Sequence, residues 1–114
     1  MTTRFLLLGI IFLLFCGVEE EATYPLEVEF LVTGTEGISF TGSVGNRSSS
    51  SSVQGTTPES YFVELENEYD MVKGDFHKGT EAGTLSVEIY VNNDYKKEAS
   101  TWAPYGSVSI TYSE

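Results

Sequence analysis

Leu85-Ser86-Val87-Glu88-Ile89-Tyr90-Val91 sends its apolar residues to one side and Ser86, Glu88 and Tyr90 to the other, and Asn92-Asn93-Asp94 then ends the run. A period of two places one set of side chains on a core and the other in water, which is how a strand of an antiparallel sheet reads. Asparagine and aspartate tolerate the left-handed backbone of a tight hairpin. The chain is therefore expected to turn here and return over Tyr95 to Ser100. Lys96 and Lys97 suit that return strand to an exposed sheet edge, because lysine discourages edge-to-edge pairing.

The same period recurs in both directions along the chain. Leu26, Val28, Phe30 and Val32 alternate with Glu27, Glu29 and Leu31, and Ile38, Phe40 and Val44 with Ser39, Thr41 and Ser43. Tyr61, Val63 and Leu65 face one way against Phe62, Glu64 and Glu66. Near the end, Val108, Ile110 and Tyr112 oppose Ser107, Ser109 and Thr111. Turn formers separate the runs at Gly34 to Gly37 and at Lys78 to Gly83. With Met71 to His77 included, the reading gives about seven short strands and no helical period after residue 20. The expected fold is all-β: a single antiparallel β-sandwich of immunoglobulin-like character over residues 26–114. Only Gly45 to Gly55 breaks the rhythm. Its five consecutive serines, Ser48 to Ser52, read as a mobile solvent loop, or as a binding loop because loops carry function. Asn46-Arg47-Ser48 within it is a glycosylation sequon.

Before the strands comes an address. Arg4 precedes an apolar run from Phe5 to Phe15, which ends at the only cysteine, Cys16, and Glu19-Glu20-Glu21 follow. Residues 1–16 read as an export signal or hydrophobic anchor helix, and residues 17–25 as an acidic linker. Crossing a bilayer takes about 20 apolar residues, more than this segment supplies. Leu13 and Gly17 around Cys16 suit a lipid-attachment site; a short uncleaved anchor and simple secretion are the alternatives. Each places the mature domain outside the cytoplasm, at the cell envelope or secreted. With no further cysteine, that domain has no disulfide.

Seventeen acidic residues lie beyond Cys16 against Arg47, Lys73, Lys78, Lys96 and Lys97, so the mature part carries a charge near −12. Such a field repels phosphate backbones, which excludes nucleic acid as a partner. Catalytic chemistry is not legible. The one histidine, His77, has no nucleophile that the sequence can pair with it, and a carboxylate-pair glycosidase needs a cleft that so small a sandwich lacks. No His or Cys cluster suits zinc, and the acidic stretches lack calcium-loop spacing. No cofactor, metal or enzyme activity is expected. The aromatics Tyr90, Tyr95, Trp102 and Tyr105 are the candidate binding residues, since aromatics anchor interfaces; Trp102 reads equally as a plug closing one end of the sandwich.

Several stretches together carry a family resemblance. They are the glycine-ended strand Leu26 to Gly34, the aromatic strand Ile38 to Thr41 and the proline-containing lead-in Thr57-Pro58-Glu59-Ser60-Tyr61. The hairpin strand Ser86 to Asp94 and the closing Ser100 and Tyr105-Gly106-Ser107-Val108-Ser109 complete the set. In these the chain resembles the periplasmic domain of the mycobacterial membrane-protein-small (MmpS) family. It departs from that pattern at Glu59-Ser60, where a tryptophan is common, and in having no late cysteine. The resemblance implies an anchored β-sandwich that serves as an accessory partner of an RND-type membrane transporter. A cell-surface module for carbohydrate or another small ligand, or a purely structural envelope lipoprotein, are the alternative functions.

Overall fold

The computed structural model describes residues 23–114. The expected signal, Cys16 and most of the acidic linker lie outside the described residues. Eight strands follow: β1 (Leu26–Gly34), β2 (Ser39–Gly45), β3 (Ser50–Thr56), β4 (Glu59–Leu65), β5 (Val72–Lys78), β6 (Leu85–Val91), β7 (Asp94–Thr101) and β8 (Ser107–Tyr112). They form two antiparallel sheets of four, in the orders β4-β1-β6-β7 and β3-β2-β5-β8. The sandwich is as the alternation implies, with one strand more than the seven expected.

The extra strand corrects the reading of the serine segment. Ser50–Thr56 is β3, paired with β2 from Ser39↔Thr56 to Gly45↔Ser50, and only Asn46 to Ser49 turn. Asn46 organises that turn. Its side-chain oxygen accepts the Ser48 and Ser49 N–H groups at 2.9 and 3.0 Å, and its amide donates to the Glu64 carbonyl at 2.7 Å. Backbone pairing to β2, rather than side-chain burial, makes this a strand; of its residues only Val53 packs on the core.

Inward residues of both sheets form one core, from Leu26, Val28, Phe30 and Val32 on β1 to Val108 and Ile110 on β8. Each such side chain contributes about 1.5–3 kcal/mol when fully buried. Four rings meet at its centre. Phe76 lies 6.0 to 6.3 Å from Phe30, Phe40 and Tyr61, and Phe40 meets Tyr61 edge-on. Glycines make the room. Gly42 is opposite Phe76 and Gly55 opposite Phe40 in the ladders, and a Cβ on Gly74 would fall within 2.9 Å of the Phe30 and Phe76 rings.

Three buried polar residues hold the connections. Thr57 Oγ1 accepts the Ile38 N–H at 2.9 Å and donates to the Thr35 carbonyl at 2.6 Å, which ties the β1–β2 turn to the β3–β4 corner. Lys78, expected in a solvated turn, is fully buried at the end of β5, and its ammonium donates to the Gly83 carbonyl at 2.6 Å. It follows Val72, Gly74 and Phe76 on the inward side of β5, and so reaches the core end while its head closes the β5–β6 loop.

Asp70 is the third. Its carboxylate accepts the N–H groups of Arg47 at 3.0 Å, Glu66 at 2.9 Å and Met71 at 2.8 Å. Burial by itself raises its pKa, but the three N–H bonds and the nearby Arg47 charge outweigh that and hold it below the ordinary carboxylate value. A carboxylate depressed on folding stabilises above its unfolded pKa, near 3.9, and that contribution disappears as pH falls through the folded value. Asp70→Ala is expected to cost about 2 kcal/mol at neutral pH, since it strands three part-buried N–H donors. The cost should shrink below about pH 4. Paired urea titrations at pH 7 and pH 3 check this; an equal loss at both would be inconsistent with it.

Candidate functional site

Strand order brings together side chains that are far apart in sequence. On the outer face of the β4-β1-β6-β7 sheet, Phe62 pairs with Glu29, Glu29 with Tyr90, and Tyr90 with Tyr95. This row crosses all four strands, a width of about 14 Å at the usual spacing between strands. Beside it a second row runs from Ser60 through Leu31 and Glu88 to Glu98. Phe62 is 59% exposed and Tyr95 54%. Tyr90 and Tyr95 meet edge-to-face with ring centroids 5.8 Å apart.

The hairpin holds that last pair in place. Asn92 and Asn93 have φ of 50° and 72°, the left-handed backbone of a tight turn. A register shift sets Ile89 against Lys97 and Tyr90 against Tyr95, so Lys96 is the extra residue of a bulge. Bulges twist an edge away from further pairing, and here the bulge also carries the expected lysines.

Electrostatically the face is one-sided. Glu27 lies directly opposite Glu64, and Glu88 opposite Glu98, with Glu29 between them. None of β1, β4 and β6 contains a lysine, arginine or histidine. Ser60 donates to Glu29 at 2.7 Å and Tyr90 to Glu88 at 2.6 Å. That hydrogen bond to Glu88, with burial and the surrounding carboxylates, raises the Tyr90 pKa; burial and the charges of Glu98 and Glu88 raise that of Tyr95. Like charges directly opposite across a ladder destabilise a sheet by a few tenths to about 1 kcal/mol. Glu64→Gln is therefore expected to stabilise the domain by about 0.5 kcal/mol, measured as a higher urea midpoint at low salt. A lower midpoint would mean that the opposed pair is not repulsive.

The four aromatics predicted from sequence do not form one platform. Tyr90 and Tyr95 belong to the row just described. Trp102 and Tyr105 lie past the other end of β7, in the β7–β8 loop, about 20 Å along the strand from Tyr95. Trp102 is 82% exposed, so it does not close the sandwich. Tyr105 is 57% exposed, and its N–H donates to the Thr80 carbonyl at 3.0 Å. Phe62, Leu31 and the glutamate pairs complete the face but were not singled out from sequence. Alternation marks each as outward, whereas their adjacency depends on β1 lying between β4 and β6.

The opposite sheet has a different character. Its outer face is built of short polar residues, and His77 Nδ1 lies 2.7 Å from Ser107 Oγ across β5 and β8. That contact supplies the nucleophile partner the sequence could not name. Asp75, two residues along β5 from His77, instead receives its hydrogen bond from Ser109 at 2.6 Å. A base steered by a carboxylate is therefore not assembled here. Among the described residues no three His, Cys, Asp or Glu side chains converge as metal ligands, and no helix is long and apolar enough to cross a membrane. No protein-family model matches the chain, and neither does any curated protein.

Proposed function

We propose that this chain is a membrane-anchored extracytoplasmic β-sandwich, immunoglobulin-like in architecture, that works by binding a protein partner. Its most specific form is an accessory subunit of an RND-type transporter, held at the membrane through residues 1–16 or a lipid on Cys16. One observation carries the binding reading: five large aromatics, Phe62, Tyr69, Tyr95, Trp102 and Tyr105, are each more than half exposed on a domain of about 90 residues. Aromatics of this size are enriched where partners dock. The transporter assignment rests on the sequence resemblance.

Mild crosslinking of the native membrane fraction, affinity capture of the chain and mass spectrometry test it. Stoichiometric recovery of a multi-span transporter is the expected result; recovery of the chain alone would overturn the accessory reading. A second reading, binding of carbohydrate, is favoured by Trp102 and Tyr105 lying exposed within one loop. Trp102→Ala should then abolish sugar binding and leave the urea midpoint unchanged.

A further inference from the structure

The geometry points to the outer face of the β4-β1-β6-β7 sheet as the docking surface for a lysine- and arginine-rich segment of a partner protein, with its cations over Phe62, Tyr90 and Tyr95 and between the glutamates. This rests on the partner-binding reading and names the partner's chemistry.

Charge complementarity selects the occupant. Five carboxylates, Glu27, Glu29, Glu64, Glu88 and Glu98, border one sheet face, and β1, β4 and β6 supply no cation to answer them. Three of the five basic residues of the mature chain are elsewhere, and the other two stand at the β7 edge of this sheet. Lys78 is buried, Arg47 and Lys73 belong to the opposite sheet and its turn, and Lys96 and Lys97 lie on the edge strand β7. The one ion pair among the described residues, Lys73 with Asp75 at 3.8 Å, is also on the opposite sheet. Opposed glutamates cost stability in the free domain, and a cation from outside relieves that cost.

The aromatic row decides what kind of cation fits. A guanidinium or ammonium is attracted to an aromatic face, and Arg in particular stacks on rings while pairing with carboxylates. Phe62 offers no hydrogen bond, and its ring, 59% exposed on this face, is open to stacking or apolar contact. The residues of one strand face repeat about every 6.6 Å, the interval between Glu27 and Glu29 on β1. An extended basic segment with cations at alternate residues has that same interval. A second copy of this chain is a poor occupant, because two such faces repel, and an anionic lipid surface is repelled for the same reason.

A labelled peptide of alternating arginine and valine, nine residues long like β1, titrated against the full chain by fluorescence anisotropy, tests the proposal. Saturable binding that weakens as salt rises is expected. The triple variant Glu27→Gln, Glu64→Gln, Glu88→Gln should bind at least about tenfold more weakly. A control that removes as many charges elsewhere, Glu36→Gln, Glu68→Gln, Glu81→Gln, should bind within about twofold of the parent. Phe62→Ser should weaken binding by about threefold or more. Equal losses in the triple variant and its control would mean general acidity and would overturn the proposal, as would the absence of saturable binding. The triple variant also separates this proposal from the transporter reading. If it still captures the transporter in full yield, the face is wrong and the accessory role stands; if the peptide result holds and no transporter is captured, the reverse is true.

Discussion

Phe76→Ala is expected to remove about 3–5 kcal/mol of stability, a large share of the 5–15 kcal/mol that small domains possess. The ring is 1% exposed and is, among the described residues, the one aromatic that touches three others: Phe30 at 6.3 Å, Phe40 at 6.0 Å and Tyr61 at 6.3 Å. Phe30 comes from one sheet and Phe40 from the other, so the truncation opens a cavity where the two halves of the sandwich meet. The site cannot collapse easily, because Gly42 opposite and Gly74 nearby have no side chains with which to fill it. Phe76→Leu keeps most of the volume and should cost under about 2 kcal/mol. Urea titrations of both variants check the pair. A loss under about 1 kcal/mol for the alanine variant would show that the four-ring cluster is not the centre of the core.

Gly42→Ala is expected to be worse, although it adds only one methyl group. A Cβ at this position would lie 2.1 Å from the Asp75 carbonyl oxygen and 3.0 Å from the Phe76 Cα. Both belong to the backbone of β5, which pairs with β2 at that point, so no side chain can rotate away to make space. The ladder between the two central strands of the sheet has to shift, and with it the position of Phe76. A cost above about 4 kcal/mol, the range reached only by severe lesions, follows. It should show as the loss of a cooperative unfolding transition. Ser43→Ala, next in sequence but on the outer side of β2, should change stability by no more than about 0.5 kcal/mol. A cooperative transition for Gly42→Ala within a few degrees of the parent would contradict the close backbone approach.

Much of this architecture was legible because period two survives in strands that bury one face. β1, β6 and β8 alternate cleanly, and the Asn92-Asn93 turn carries its own backbone chemistry. β3 was not legible, because Ser50-Ser51-Ser52 offers no apolar face; its pairing is imposed by β2. Lys78 was misplaced in a turn since its charge outweighed its parity, yet Val72, Gly74, Phe76 and Lys78 form one inward series. The candidate face was legible in its parts and not as a whole. Period two marks Glu29, Phe62 and Tyr90 as outward, but they become neighbours only through the β4-β1-β6 order, which no local pattern encodes. Trp102 stands outside any strand, so alternation gives it no direction.

Of the seven connections between strands, only β2–β3 and β6–β7 join neighbours within a sheet; the other five cross from one sheet to the other. The central strand β1 finds both its partners, β4 and β6, far along the chain. Sheet formation therefore has to wait for distant segments to meet, and topologies of this kind fold in milliseconds to seconds rather than microseconds. The two hairpins are the only pieces able to form early, one polar and serine-rich, the other tipped by asparagines. Until β1 arrives between β4 and β6, the valine-rich inner side of β6 has no cover. That interval is when the chain is most open to capture or clumping, and the repulsion among its many carboxylates then keeps unfinished copies apart.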